Sequence, residues 1–503
     1  MDHRPRTWCW WGREGLPSIM SAVKQKNSGA YYTPDPVVRS LVRWVVRSPS
    51  DRLLDPACGD GRFLALHRNS VGVEQDLAAA REAAQRVPRG IVHRRDFFSW
   101  ASQAGERFDC AAGNPPFIRY QRFAGSVRRK ALALCAEHGV HFSALSSSWA
   151  PFLVATSALL KQGGRMAFVI PAEIGHAAYA RPVLEYFAQH FDHLRVVAVL
   201  HKLFPDLSED CWLLHAEGYG GSTDHLHFAL MDRMGFMPSP PRLAVQVALH
   251  ELRDWNWRLR AFLLPEPIRS LYRRMGSTST CKRLRELARV GIGYVTGANE
   301  FFHLKPSEAK QRGISNTFLL PSVRSGKELV GRAITRATVE TWRRHDERML
   351  LLRLPKNGPL PHSIRKYLDS PAGREARQRY KCRTRDPWYV VPDVALPDGF
   401  LSYMSGERPV LVANRADCSA TNSVHILQMK NGLRMSLLQR LWNMPLTALS
   451  CEIEGHPLGG GMLKLEPREA GNILLQIDAG GSAQEARLLR EGTKVMRHWR
   501  HYA

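Results

Sequence analysis

Leu53-Leu54-Asp55-Pro56-Ala57-Cys58-Gly59-Asp60-Gly61-Arg62-Phe63-Leu64 is the stretch that decides the fold. It runs from an apolar strand, through two glycines, into a predicted helix. Gly59 and Gly61 permit a tight turn and let a ligand approach the backbone closely at the carboxyl edge of a first strand. No lysine follows the second glycine, which excludes the G-x-x-x-x-G-K phosphate loop, and Leu at position 64 excludes a G-x-G-x-x-G pyrophosphate fingerprint. The Asp before the turn suits a ligand bearing an amine.

Outward from that turn, Val71-Gly72-Val73-Glu74 reads as a second strand. It ends in an acid 19 positions after Asp55, close to the offset of about 20 at which a carboxylate meets a ribose diol. A third strand leads into Asp96-Phe97-Phe98, an acid able to accept from an adenine amino group and an aromatic to pack on the ring. Three acids at successive strand ends make a nucleoside-shaped site. The order fits S-adenosylmethionine, with its amino-acid end at Asp55, its ribose at Glu74 and its adenine at Asp96 and Phe97.

A fourth strand ends in Gly113-Asn114-Pro115-Pro116-Phe117. Two prolines after a strand fix φ and end the hydrogen-bond ladder. The Asn114 amide oxygen and the Pro115 carbonyl are then two rigid acceptors, matched to the two donors of a planar exocyclic amine. Accepting both draws that nitrogen toward sp3 and aims its lone pair, so methyl transfer from a sulfonium needs positioning more than a strong base. Phe117 offers a face for stacking a heterocycle.

The surrounding rhythm is that of an open α/β sheet. Strands are predicted at Arg52–Leu54, Val71–Glu74, Ile91–His93, Phe108–Ala112, Met166–Ile170, Leu194–Leu200 and Cys211–Glu217, with helices over Pro36–Val46, Leu77–Arg86, Trp149–Leu160 and Arg181–Gln189. Seven strands with crossover helices on both faces give a doubly wound, Rossmann-like sheet closed by an antiparallel hairpin at one edge. Met237-Pro238-Ser239-Pro240-Pro241 then breaks the pattern. The division expected is an N-terminal extension over 1–27, a catalytic domain over 28–237 and an irregular α+β domain over 242–503. Met20 is the expected natural start, with the preceding residues disordered or not translated.

Composition narrows the partners. Hydrophobic residues are 44% and charged residues 23% of 503, ordinary for a globular chain and wrong for a disordered tail or a disulfide scaffold. No apolar run approaches the ~20 residues that cross a bilayer, which argues against a membrane protein. With 71 Lys+Arg against 46 Asp+Glu the formal charge is +25, which favours a polyanionic partner. The nine cysteines are odd in number and lack C-x-x-C spacing, so neither a zinc site nor any other metal is expected. They suit a reducing cytoplasm. Between Arg374 and Arg385 stand six cations in twelve residues. Arg377, Arg379, Lys381, Arg383 and Arg385 alternate, which puts five charges on one face of an extended chain for contact with DNA.

These motifs together resemble the class I S-adenosylmethionine-dependent methyltransferases, and within them the gamma-type (TaqI-like) adenine-N6 DNA methyltransferases of restriction–modification systems. Gly29-Ala30-Tyr31-Tyr32-Thr33-Pro34 is similar to the family motif that closes over the cofactor's methionine part, which implies contacts from Tyr32, Thr33 and Pro34. Asp55 to Phe63 is similar to the family's D-P-A-C-G-x-G-x-F motif, which adds Ala57 and Cys58 to Asp55, Gly59 and Gly61. Asn114 to Phe117 matches N-P-P-[YF], and Gly163 to Pro171 resembles the fifth-strand motif. His201-Lys202-Leu203-Phe204-Pro205 lies where the family keeps an aromatic that sandwiches a flipped base, here Phe204. Val290 to Phe302 resembles the opening of the family's target-recognition domain. The resemblance implies methylation of adenine N6 in double-stranded DNA and a separately encoded restriction endonuclease as partner. Two alternatives stay open: the same fold acting on rRNA or on a protein glutamine amide, and a non-catalytic DNA-binding relic. No nuclease signature stands out.

Overall fold

The computed structural model describes residues 32–502 apart from 144, 206, 208 and 479. The extension over 1–27, the Met20 start and Gly29, Ala30 and Tyr31 of the cofactor-closing motif lie outside them. The chain forms two compact units, Met1–Leu259 and Arg260–Ala503.

The first unit is built on β1 (Leu53–Asp55), β2 (Ser70–Glu74), β3 (Ile91–Arg94), β4 (Phe108–Gly113), β5 (Leu160–Pro171), β6 (Phe191–Val199), β7 (Cys211–Tyr219), β8 (His225–Met231) and β9 (Val245–Ala248). Their order in the sheet is β3-β2-β1-β4-β5-β7-β6-β8-β9. β1 to β5 run parallel, while β7 is antiparallel to both of its neighbours, β5 and β6. The strand order reverses beside β1, and the carboxyl ends of β1 and β4 meet at that switch point, where ligands of such sheets bind.

The local sequence explains the layers. Met166 to Ile170 in β5 are all fully buried, a continuous apolar run of the kind that a strand covered on both faces requires. One cover is α1 (Asp35–Val45), whose Val37, Val38, Leu41, Val42 and Val45 recur at helical spacing and bury against Leu53, Ala167 and Val169. The unit's other helices include α2 (Leu77–Arg86), α3 (Phe97–Ala101), α4 (Gly125–Glu137), α5 (Trp149–Ser157) and α6 (Ala180–His190).

All seven strands expected from the sequence form, within a doubly wound α/β sheet. Three details differ. β8 adds parallel to β6 and β9 antiparallel to β8, so the β6–β7 hairpin lies inside the sheet and not at its edge. His225-Leu226-His227-Phe228 does alternate polar and apolar, with Leu226 and Phe228 fully buried, but so short an alternation beside a proline-rich stretch reads as a loop. Those prolines sit in the β8–β9 connection, and the first unit continues through β9 to Leu259, not to a boundary at 237. Thirdly, the turn after β1 leads into a single 3-10 turn, Leu64–Leu66, where a helix is expected, because β2 starts at Ser70 and leaves no length for one.

In the second unit β10 (Ala288–Ile292), β11 (Ala333–Thr335), β12 (Gly399–Ser402), β13 (Leu411–Arg415) and β14 (Val424–Met429) form a sheet in the order β10-β14-β12-β13-β11. Arg374 to Arg385 are not extended. They lie in α7 (Pro371–Gln378) and α8 (Tyr380–Arg383), with Arg379 at the junction between the two helices and Arg385 just past the second. Ser370 caps α7 by accepting from Gly373 N, and Pro371 starts it, a helix-opening pair that outweighs the alternation of charge. Residues two apart on a helix do not share a face, so the single cationic face expected from the alternation does not exist.

Candidate cofactor and methyl-transfer site

The turn after β1 is shaped by its two glycines. Gly59 has φ 52° and Gly61 φ 83°, a region that costs a residue with a side chain roughly 1–2 kcal/mol. A Cβ at Gly61 would stand 2.9 Å from the Ala83 backbone of α2, whereas one at Gly59 would meet nothing within 4 Å. Gly61 therefore packs the turn against the helix, and Gly59 borders open space. That opening is a cradle a ligand can enter.

Asp55 and Glu74 bond the turn itself, and Asp96 stands after the next strand, β3. Asp55 is 1% exposed, and its carboxylate Oδ1 accepts from Ala57 N at 3.1 Å. Burial, opposed by that bond and reinforced by Glu74 and Asp60, raises the Asp55 pKa to about 8. Glu74, at the end of β2, accepts from Gly59 N at 3.0 Å and from Asp76 N at 2.7 Å, so it ties the second strand to the glycine turn. Asp96 caps α3 through Oδ1, which accepts from Ser99 N at 2.9 Å and Ser99 Oγ at 2.8 Å. Phe97 and Phe98 are buried, Phe97 stacking on Phe152 of α5 with centroids 5.0 Å apart. Cys58 is buried as well, and burial pushes its thiol far above the usual range, which makes it wall and not nucleophile.

The residues before α1 are held to the same turn. Arg62 Nη1 donates to the Thr33 carbonyl at 2.7 Å, and its guanidinium lies 4.8 Å from the Tyr32 ring centroid. Arg62 and Arg86 both pair with Asp60, at 2.8 Å and 3.1 Å. Against the penalty of burial, those two guanidinium groups hold Asp60 below the ordinary carboxylate range. Thr33 is buried while Tyr32 is about half exposed.

The reacting end adjoins Asp55. A Cβ on Gly113 would stand 2.6 Å from Asp55 Oδ1 and 3.2 Å from the Phe168 ring. The end of β4 thus runs directly beneath the buried acid, and Asn114 and Pro115 emerge there with Asn114 Oδ1 buried. Ser148 fastens the segment that follows. Its Oγ donates to the Pro116 carbonyl and accepts from Ile118 N at 2.9 Å, and its own N donates to the Ile118 carbonyl at 3.0 Å. Behind Ser148, Trp149 Nε1 donates to Glu173 Oε1 at 2.7 Å. Tyr179 OH donates to the same carboxylate and lies 2.9 Å from Ser147 Oγ. Burial raises the Glu173 pKa, against the pull of these two donors.

Phe117 is partly exposed and packs against a buried cluster that contains Leu203, Phe204 and Leu207. Phe204 is itself 7% exposed and sits there as a core side chain. The residues assigned a role from the sequence do not include Ser148, Glu173, Tyr179 or Arg62. A signal exists for two of them. Ser146-Ser147-Ser148 before Trp149 is a helix-start pattern, and Glu173 is a lone acid beside an apolar run, which must find a partner when buried.

In the second unit the basic stretch splits in role. Arg379 pairs with Glu375 at 2.6 Å, and Arg385 donates to the carbonyls of Thr296, at 2.7 Å, and Val295. Tyr380 is 65% exposed, with Lys381 and Arg383 poised 6.0 and 5.6 Å from its ring centroid. Among the described residues no group of three His, Cys, Asp or Glu could hold a metal ion, and no helix is long and apolar enough to cross a membrane.

Known proteins resemble this chain in both of its units. The family described as "N-6 DNA Methylase" matches residues 14–85, and "Type II methyltransferase M.Eco57I, C-terminal domain" matches 256–500. Type II methyltransferase M.XamI of Xanthomonas campestris pv. amaranthicola is 26% identical over 88% of this chain and 84% of its own length. Type II methyltransferase M.AccI of Acinetobacter calcoaceticus is 22% identical over 92% and 87%. The type IIL restriction–modification enzyme MmeI, solved in complex with DNA, has the same fold with a TM-score of 0.54, at 14% identity over 91% of this chain and 69% of that one.

A parallel sheet with an acid–glycine turn on its first strand and an Asn-Pro-Pro-Phe segment on its fourth defines a class I S-adenosylmethionine-dependent methyltransferase. Within that class the chain is similar along most of its length to the adenine-N6 DNA methyltransferases of restriction–modification systems, of the gamma type. It transfers the methyl group of S-adenosylmethionine to adenine N6 in DNA.

Proposed function

We propose that the two units divide this reaction, Met1–Leu259 holding the cofactor and one adenine and Arg260–Ala503 recognising the surrounding DNA. The observation that supports the reading best is the 2.6 Å approach between the Gly113 Cβ position and Asp55 Oδ1, which sets the amine-binding acid against the start of the Asn114-Pro115-Pro116-Phe117 segment. Bound S-adenosylmethionine supplies an electrophilic methyl group on a sulfonium. Asp55 accepts from its ammonium group, Glu74 from its ribose and Asp96 from its adenine. Ala57, Cys58, Gly59, Gly61 and Phe97 form the walls, and Tyr32, Thr33 and Pro34 close over them.

Asn114 Oδ1 and the Pro115 carbonyl accept from the two N–H groups of the target amine, and Ser148 keeps that segment fixed by taking the Pro116 carbonyl. Phe117 stacks on the base, with Phe204 in the cluster behind it. The base has to leave the duplex to reach this point, at a cost on the order of a few kcal/mol. Arg377, Arg379, Lys381 and Arg383 contact phosphates, while Arg385 serves chiefly as a brace. A separately encoded endonuclease recognising the same site, in the same cytoplasm, completes the system.

Long-read sequencing of DNA from cells expressing the protein tests this. N6-methyladenine should appear in one sequence context and vanish with Asn114→Ala. Methylation unchanged in that variant would refute the role of the Asn114 segment.

A further inference from the structure

Two stretches singled out by the sequence, Val290–Phe302 and Arg377–Arg385, lie some 90 residues apart in the chain. The fold of the second unit brings them together. Gly297 packs so closely on α8 that a Cβ there would stand 2.6 Å from Lys381 Cβ, and Arg385 grips the carbonyls of Thr296 and Val295. Between the two stretches lies a cleft of about 660 Å³, lined among others by Arg289, Gly291, Gly293, Lys381, Arg385 and Gln428. Asp393 is the one acid among its lining residues, against three cations.

The floor of this cleft has a definite geometry. β10 is the edge strand of its sheet, and it pairs antiparallel with β14 so that Arg289 stands directly opposite Gln428, and Gly291 opposite Ile426. Arg289 and Gln428 are both exposed and project from one face, with Cβ atoms about 5 Å apart, as cross-strand neighbours are. The glycines between Arg289 and Tyr294 keep that face low. At Gly293 a Cβ would fall 2.1 Å from the Ala420 carbonyl, so no side chain fits there. A two-stranded ribbon is one of the shapes a DNA major groove admits. Arg pairs with the O6 and N7 of guanine and Gln with the N6 and N7 of adenine, each through two hydrogen bonds. At about 3.4 Å per stacked base pair, side chains about 5 Å apart reach the same pair or adjacent ones.

We infer that Arg289 and Gln428 read base edges in the major groove from the floor of this cleft, and that Lys381 on its wall takes a backbone phosphate. Arg385 is the brace that fixes the wall, since both of its terminal guanidinium nitrogens already donate to backbone carbonyls. The inference rests on the proposal that the second unit recognises DNA, and it names which of its side chains set specificity.

The test uses the full chain. The base preference of methylation is measured at every position of the site for wild type, Arg289→Ala, Arg289→Lys, Gln428→Ala and Lys381→Ala, with S-adenosylmethionine affinity measured alongside. Arg289→Ala and Gln428→Ala should each lower kcat/KM on the native site by about 10- to 100-fold and relax preference at one base pair, at the same or adjacent positions. Arg289→Lys should keep DNA affinity and still lose discrimination, because a point charge lacks the guanidinium fork. Lys381→Ala should weaken binding equally across sequences and reduce the salt slope by about one. Cofactor affinity should not move. Base preference and kcat/KM unchanged in both Arg289→Ala and Gln428→Ala would overturn the inference while leaving DNA recognition by the second unit intact. If instead the wild-type chain bound cofactor yet methylated no DNA, the proposed function itself would fall, and this inference with it.

Discussion

Cofactor binding should release a proton, and the amount follows from the burial of one carboxyl. Asp55 is fully enclosed, and its pKa of about 8 lies well above the usual 3.8. Only the carboxylate can hold an ammonium group. At pH 7, one unit below that pKa, about a tenth of the cofactor-free protein carries it, so displacing the proton costs about 1.4 kcal/mol. The cofactor's amino group has an ordinary pKa near 7.7–8.0 and must stay protonated. Multiplying the two fractions, affinity should rise about twentyfold from pH 6 to pH 8 and fall above it, with about 0.8 proton released per cofactor bound at pH 7. Titration calorimetry in buffers of different ionisation enthalpy measures that number directly. In Asp55→Asn the release should vanish, affinity should drop, and the rise between pH 6 and pH 8 should flatten. A wild-type protein that releases no proton at pH 7 and binds equally well from pH 6 to pH 8 would refute the pairing of Asp55 with the ammonium group.

The same carboxyl sets the stability of the protein without cofactor. Between about pH 4 and pH 8 the unfolded chain has lost a proton that the folded chain retains, so stability falls as pH rises through that window. Cofactor, by favouring the carboxylate, should offset the fall. Urea midpoints at pH 5 and pH 8, with and without S-adenosylmethionine, read both effects.

Asn114→Ala removes one of two acceptors at the reacting nitrogen and should cost about 10²-fold or more in single-turnover rate, with cofactor affinity near wild type. Ser148→Ala takes away the acceptor for Ile118 N and the donor to the Pro116 carbonyl; kcat should fall at least about tenfold while cofactor KM changes little, whereas a fall in cofactor affinity alone would show that Ser148 does not act through the catalytic segment. Glu173→Ala strands the Trp149 and Tyr179 donors and should destabilise the first unit by about 1–3 kcal/mol in urea, while Glu173→Gln, which keeps an acceptor, should recover most of it.

Much of the first unit was legible because its chemistry sits in contiguous motifs on strand ends. Every strand of the seven read from the sequence formed, since β1 to β7 carry continuous or alternating apolar runs bounded by turns. β8 and β9 were not legible, because the proline stretch between them looks like a domain break when it is only a connection within a sheet. In the site, Asp55, Glu74 and Gly113 stand where strand order and glycine conformation place them. Ser148 bonds the Pro116–Ile118 segment some 30 residues away and Glu173 accepts from Trp149, 24 residues away, and no local pattern announces partners so remote. The basic stretch failed differently. Alternating charge suggested extended chain, but Ser370-Pro371 followed by Ala372, Glu375 and Ala376 favours a helix, and backbone propensity outweighed side-chain pattern.

The relation between Asp55 and Gly113 explains why cofactor and acceptor motifs sit on neighbouring strands. β1 pairs with β4 in register, Leu53 against Cys110 and Leu54 against Ala111, so Gly113 extends one residue past the level of Asp55 at the carboxyl ends of the two strands. A side chain on the residue preceding Asn114 would strike the Asp55 carboxylate, proposed above to hold the cofactor amine, and glycine removes that obstacle. On the proposed reading donor and acceptor are aligned by backbone register and not by flexible side chains, and the two prolines with Ser148 extend that rigidity to the amine's proposed acceptors. For a reaction in which the sulfonium is already activated, the protein's remaining task is to hold two groups in line, and effective molarities of about 10⁵–10⁸ M are available from placement alone. Such an arrangement calls for rigid carbonyls before it calls for a general base. The acceptor nitrogen needs its lone pair turned toward the methyl group before it needs its proton removed.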